Sequence, residues 1–160
     1  MSNSIRAATA DDIAAVEQIV ALAYRPYIAR IGRAPAPMTA DYRALLPHTH
    51  VLTDDDAVAG VLVAIPATDH LLVDNVAVDP RHHGRGFGRR LLEYAEQQAR
   101  RRGLPALRLY TNAAMTENLS LYPRLGYTEV DRRIDDGFDR VFFSKALPRT
   151  ESESPGPPER

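Results

Sequence analysis

The sequence predicts a mixed α/β domain, an α+β arrangement of helices around one mixed sheet. Three observations predict it. The run His70-Leu71-Leu72-Val73-Asp74-Asn75-Val76-Ala77-Val78 has the β-branched density of a buried strand. From about Gly86 to Arg102, apolar residues recur at helical spacing. Near the end of the chain, Tyr127–Ile134 and Phe138–Lys145 flank Asp136-Gly137, a favoured hairpin turn pair. The order read along the chain is β-α-α-β-β-β-α-β-α-β-β. It alternates too irregularly for a doubly wound sheet or a barrel.

Residues 4–8 read as a short first strand. Thr9-Ala10-Asp11-Asp12 follows as a capping box, with Thr9 as N-cap and Asp12 in the N3 place. Ile13, Val16, Ile19, Val20 and Ala23 then keep helical spacing toward Tyr24. Arg30 to Thr39 is rich in Gly, Pro and Ala and reads as a loop, followed by a brief helix around Ala40–Leu46. Val51–Thr53 and Val58–Ile65 suit two strands joined by the acidic turn Asp54-Asp55-Asp56, and Pro66 ends the second.

The helix from Gly86 puts Phe87, Leu91, Tyr94, Ala95 and Gln98 along one side, with Leu92 and Ala99 widening the apolar face. Gly103 ends it after three arginines that suit the negative end of the helix dipole. A strand at 107–111 and a helix near Thr116–Leu125, closed by Gly126, precede the hairpin. Beyond Leu147 the chain is rich in Pro, Ser and Glu, too polar to order itself, so 148–160 reads as a disordered tail behind a domain over 1–147.

At 160 residues the chain suits one domain with a proper core. Its 44% hydrophobic and 26% charged residues place it among ordinary globular sequences. A formal net charge of −1 gives no overall field to draw nucleic acid. With no cysteine, disulfides, thiolate metal sites and cysteine nucleophiles are excluded. Residues 1–12 lack an apolar signal core, and no apolar run is long enough to span a bilayer. The expectation is a cytoplasmic protein with no membrane partner.

The chemistry centres on Arg81-His82-His83-Gly84-Arg85-Gly86-Phe87-Gly88-Arg89-Arg90, between the buried strand and the amphipathic helix. Glycine lets backbone N–H groups approach an anion closely, and a helix start adds a favourable field. A nucleotide-hydrolysing P-loop needs Lys then Ser or Thr after its last glycine, where Arg89-Arg90 stand. A dinucleotide fingerprint needs its third glycine at position 89. Both fail on spacing. The bland alternative is a tight turn and nothing more. Against it, Arg81, Arg85, Arg89 and Arg90 crowd cations at a helix start, which is unfavourable until an anion satisfies them. His82-His83 is a poor metal pair, because adjacent residues diverge and His48, His50 and His70 are remote.

The stretch Arg81-His82-His83-Gly84-Arg85-Gly86, directly after Val-Ala-Val-Asp-Pro at 76–80, resembles the acyl-CoA signature of the GCN5-related N-acetyltransferase (GNAT) superfamily. Leu107–Asn112 resembles that family's next central strand. Glu117-Asn118-Leu119-Ser120-Leu121-Tyr122-Pro123-Arg124-Leu125-Gly126-Tyr127 resembles its late helix and following turn. The likeness covers roughly residues 4–147. It implies a sheet of about seven strands with about four helices, in which the parallel strands 70–78 and 107–111 splay apart around the cofactor arm.

The resemblance implies acetyl transfer from acetyl-CoA to a primary amine by direct attack. Backbone groups at His83, Gly84, Arg85, Gly86, Phe87 and Gly88, with Arg81 and Arg89, would seat the pyrophosphate. Val76, Ala77 and Val78 would hold the pantetheine arm, and the Val76 N–H would polarise the thioester. Tyr122 takes the place of the general acid, and Asn118 and Asn112 those of cofactor contacts. Asp74 is a candidate base, with a hydrogen-bonded core role, another carboxylate or ordered water as competitors. Asn112 equally suits the cap of the following helix. Asp74 and Asn75 are polar in an apolar strand, and a bulge decides which faces the cleft.

The implied acceptor is a small-molecule or peptide amine. Arg30, Arg33, Asp135, Asp136 and Asp139 are candidates for its side of the cleft, where the chain also carries Tyr24, Tyr27, Met38 and Tyr42. A homodimer stays open. A catalytically weak acyl-CoA-binding sensor is the alternative reading.

Overall fold

The computed structural model describes residues 3–148. Seven strands form one sheet: β1 (Asn3–Ala7), β2 (Thr49–Asp54), β3 (Ala57–Pro66), β4 (Leu71–Val78), β5 (Ala106–Asn112), β6 (Thr128–Asp135) and β7 (Phe138–Ala146). Their order across the sheet is β1-β2-β3-β4-β5-β7-β6. Every neighbouring pair is antiparallel except β4 with β5. The helices are α1 (Ile13–Tyr24), the single turn α2 (Ile28–Ile31), α3 (Phe87–Arg101) and α4 (Thr116–Arg124). Apart from Pro148, the expected tail lies outside the described residues.

Two apolar clusters sit on opposite faces of the sheet. One joins Phe87, Leu91, Leu92, Ala95 and Ala99 of α3 to strand residues such as Leu62, Leu71, Val73, Leu107 and Phe143. The other packs Ile13, Val16, Ile19 and Val20 of α1 against Val51, Val61, Val63 and Ala77. Tyr94 and Gln98, expected along the buried side of α3, are only half-buried; Leu92 and Ala99 take the deeper places. The start of α1 is fixed by Asp12, whose carboxylate accepts the Thr9 N–H at 2.8 Å and pairs with Arg6 at 2.7 Å. The hairpin turn is as expected: Asp136 and Gly137 have φ of 53° and 77°, the left-handed pair that matches strand twist.

One expected helix does not form. Residues 41–45 are a hydrogen-bonded turn, followed by a 3-10 turn at Leu46–His48. Asp41 caps a single turn, its side chain accepting the N–H groups of Arg43 and Ala44 at 3.1 Å each and its carbonyl the Leu45 N–H at 3.0 Å, before the backbone tightens into the 3-10 turn with Pro47 inside it. A seven-residue segment so interrupted cannot propagate.

Two irregularities of β4 make the site. The parallel ladder to β5 has three pairs, Leu71 with Leu107 through Val73 with Leu109, and ends there. Beyond Val73 the two strands part. At the same level, adjacent β3 residues Val63 and Ala64 face Asn75 and Val73, leaving Asp74 as the extra residue of a bulge. The bulge inverts the facing of the strand. Val73 packs with the α3 cluster before it, and Val76 and Val78 return to that face after it.

Candidate active site

The gap between β4 and β5 opens into two connected cavities that share Tyr24, Val76, Met115, Asn118 and Tyr122. The larger, about 570 Å³, runs from Val76, Ala77 and Val78 past His83, Gly84, Gly86, Phe87, Gly88 and Arg89. The smaller, about 60 Å³, is walled by Asp74, Tyr110, Asn112, Phe138, Arg140 and the segment Pro35–Pro37. The glycine turn lies at the far end of the larger cleft and Tyr122 at the junction.

Local chemistry shapes the turn. Gly84 and Gly86 have φ of 82° and 76°, a conformation that costs a side-chain-bearing residue dearly. Among the described residues, the N–H groups from Gly84 to Arg89 have no backbone acceptor. A Cβ added at Gly84 or Gly86 would meet nothing within 4 Å. The donors of Gly84, Gly86, Phe87, Gly88 and Arg89 thus border the cleft at the start of the 15-residue helix α3, an arrangement that fits a diphosphate.

The arginines correct an expectation. Arg81 and Arg85 do not line the cleft, because each already has its anion. Arg81 pairs with the buried Asp79 at 2.7 Å and holds that carboxyl below its ordinary range. Arg85 pairs with Asp54 at 2.5 Å and covers the Phe87 ring at 4.8 Å. Arg89 alone of the three borders the cleft. The crowding of cations at the helix start is relieved by protein carboxylates, so it does not itself demand a ligand.

Tyr122 is 7% exposed, its ring packed against Tyr127 and Phe143 at centroid distances of 5.5 and 5.7 Å. Among the described residues no hydrogen-bond partner reaches its hydroxyl, and burial pushes its pKa up to about 12. Asn118, one turn earlier and inside α4, donates to Thr111 Oγ1 at 3.0 Å while bordering both cavities. Asn112 borders the smaller cavity and not the cleft; its Oδ1 accepts the Ala114 N–H at 2.9 Å ahead of α4.

Asp74 and Asn75 both reach the smaller cavity, by different routes. Asp74 is half-buried and accepts from the Tyr110 hydroxyl at 3.2 Å. Asn75 is buried, accepting from Tyr24 at 2.7 Å and donating to Tyr42 at 3.0 Å. Its partners come from the α1 side, so Asn75 ties the loop segment to the sheet. Arg30 pairs with Glu117 at 2.5 Å, and Arg33 lies 3.7 Å over the Phe138 ring.

Asp135 pairs with Arg140, and Asp136 lends Arg33 its carbonyl. Asp139 borders a separate hollow beside Arg33.

Four residues join the site without a sequence expectation for that role. His82, weighed only as a metal ligand, borders the cleft and stacks on Phe87 at 6.0 Å. Leu121 and Leu125 extend the apolar wall along α4. Arg140 is buried at the smaller cavity, and no local pattern sets it apart, since β7 carries Asp139 and Lys145 as well.

The model of the acetyltransferase (GNAT) family matches residues 16–127, most of the chain and all of this site but its β7 wall, Phe138 and Arg140. The chain belongs to that family. Among curated relatives, the [ribosomal protein bS18]-alanine N-acetyltransferase of Salmonella typhimurium is 35% identical over 82 residues. That stretch covers 51% of this chain and 55% of the relative, so the match spans about half the length of either.

The crystal structure of the ribosomal-protein-S18-alanine N-acetyltransferase from Escherichia coli superposes with a TM-score of 0.75 at 22% identity, covering 96% of this chain and 99% of that one. The paiA N-acetyltransferase of Thermoplasma acidophilum, solved in complex with coenzyme A, gives 0.74 at 17% identity, covering 92% and 100%. The GNAT fold, with its seven-stranded mixed sheet parted between β4 and β5, is therefore the fold of this chain.

Proposed function

We propose that this GNAT protein transfers an acetyl group from acetyl-CoA to the primary amine of a small-molecule or peptide acceptor, by direct attack with both partners in the cleft. One observation carries the reading. The unpaired edge of β4 beyond Val73 leads from the free N–H groups of Gly84–Arg89 to the Tyr122 hydroxyl.

Acetyl-CoA supplies an activated thioester carbonyl and a thiol leaving group. The glycine turn binds the diphosphate through backbone donors, and Arg89 adds a charge beside it. Edge groups of Val76, Ala77 and Val78 pair with the pantetheine amides as an added strand would. The Val76 N–H stabilises negative charge developing on the carbonyl oxygen, where a fixed donor in a dry site counts most. Asn118 contacts the cofactor arm near the junction.

Asp74, oriented by Tyr110, accepts the proton that the attacking amine sheds. Tyr122 returns a proton to the departing sulfur. Raised to about 12, its hydroxyl stays protonated at neutral pH. The thiolate of a thiol with an ordinary pKa of about 8.5 would be too weak a base in water to draw that proton. The same dry cleft destabilises the thiolate, which narrows the gap.

The reading is tested by thiol release from acetyl-CoA across a panel of amines, amino acids and peptides, with calorimetric titration of CoA, ATP and NAD. CoA binding in the low-millimolar range or tighter, much weaker ATP and NAD, and amine-dependent thiol release support it. CoA binding without release for any acceptor would favour a sensor.

A further inference from the structure

Of the two charged side chains that line the acceptor cavity, Asp74 and Arg140, the transfer reaction leaves Arg140 unused. It lies on β7 opposite Asn112 of β5 and is 7% exposed. Its Nη1 donates to Asp135 at 2.9 Å, and its plane covers the rings of Tyr110 at 4.3 Å and Phe138 at 5.2 Å. Nε and Nη2 have no hydrogen-bond partner among the described residues, and neither is sealed from the cavity. A guanidinium offers its donors as a planar fork that matches a carboxylate.

The opposite charge stands close by. The Tyr110 ring lies under the guanidinium while its hydroxyl donates to Asp74. One tyrosine therefore separates the cation from the anion. A carboxylate on Arg140 and an ammonium at Asp74 need a ligand whose two charged ends are a few ångströms apart. The cavity's volume, about 60 Å³, leaves room for only a handful of non-hydrogen atoms. Arg30 and Arg33 do not compete for the carboxylate, being held by Glu117 and by Phe138 with the Asp136 carbonyl.

Given the acetyl transfer proposed above, we infer that the acceptor is a small zwitterion, a free α-amino acid with a short side chain, whose carboxylate is bound by Arg140 and whose amine is presented at Asp74. Arg140 is then a specificity residue. It discriminates acceptors by the charge next to the amine and takes no part in the proton transfers.

The test compares alanine, alaninamide and ethylamine as acceptors for the wild-type protein, and measures their binding to the CoA-loaded protein by ligand-observed NMR. A charged hydrogen-bonded contact of this kind is expected to give alanine an advantage of about 10- to 100-fold in kcat/KM over its amide. Arg140→Gln and Arg140→Lys should collapse that ratio toward unity, mainly through the KM of alanine, with CoA affinity unchanged.

Equal or better use of alaninamide, ethylamine or an alanine-leading peptide overturns the zwitterion and leaves acetyl transfer standing. Carboxylate-selective binding without turnover supports the zwitterion and overturns the transfer. No binding and no turnover of any of them overturns the zwitterion, and the wider amine and peptide panel then decides acetyl transfer.

Discussion

Arg85 of the glycine turn donates from Nη1 to Oδ2 of Asp54 at 2.5 Å, tying the turn to the end of β2. Asp54 is 9% exposed and also has the His82 ring at 3.5 Å, so one carboxylate steadies two residues of the turn. Asp54→Ala should loosen the turn and weaken CoA binding by about fivefold, the scale of a partly exposed ion pair. Calorimetric titration measures it, and KM for the acceptor should stay put. Unchanged CoA affinity would mean that the turn holds its shape without the pair.

Gly86 and Gly88 separate backbone strain from ligand approach. Gly86 needs its φ of 76°, so Gly86→Val should cost about 1–3 kcal/mol of stability and also weaken CoA. Gly88 lies inside α3, and a Cβ there would meet only Val78 Cγ2 at 3.7 Å. Gly88→Ala should therefore leave the melting temperature equal or higher while still reducing CoA affinity. Full CoA affinity in Gly88→Ala would show that the cofactor keeps its distance from this part of the turn.

Asp12 gives the fold an acid limit. The Arg6 guanidinium, aided by the Thr9 N–H, lowers its pKa to about 2. A carboxylate depressed on folding contributes stability that is complete above its unfolded pKa of about 4 and lost as pH falls through the folded value. Asp12→Asn should be less stable than wild type at neutral pH, and the two unfolding curves should converge below about pH 2. Denaturant unfolding across that window reads the difference. A constant gap at every pH would assign the loss to packing instead.

Local pattern made the strands, the two long helices and the Asp136-Gly137 turn legible, since each rests on spacing within a short window. The Asp79–Arg81 pair is equally local, with Asp79 capping the short turn through the Arg81 N–H while it holds the guanidinium. Asp54 is remote in sequence from Arg85, and no periodicity announces such a contact. The facing of Asp74 and Asn75 depended on a bulge set by register with β3. The segment 40–46 forms one turn capped by Asp41 and passes into a 3-10 turn at Leu46–His48 before a second α-turn can follow. Arg140 turned inward because two rings and a carboxylate from other parts of the hairpin and β5 receive it.

The central claim is that the Tyr122 hydroxyl meets the sulfur at the junction of the two cavities. Single-turnover measurement of thiol release by Tyr122→Phe, at saturating acetyl-CoA and acceptor, tests it most directly. The hydroxyl has no hydrogen-bond partner among the described residues, so its loss should leave thermal stability and acetyl-CoA affinity in place. The rate should fall by about 100-fold, the scale of a positioned general acid. A wild-type rate where chemistry is limiting would contradict the claim, and the proton on sulfur would then come from another source.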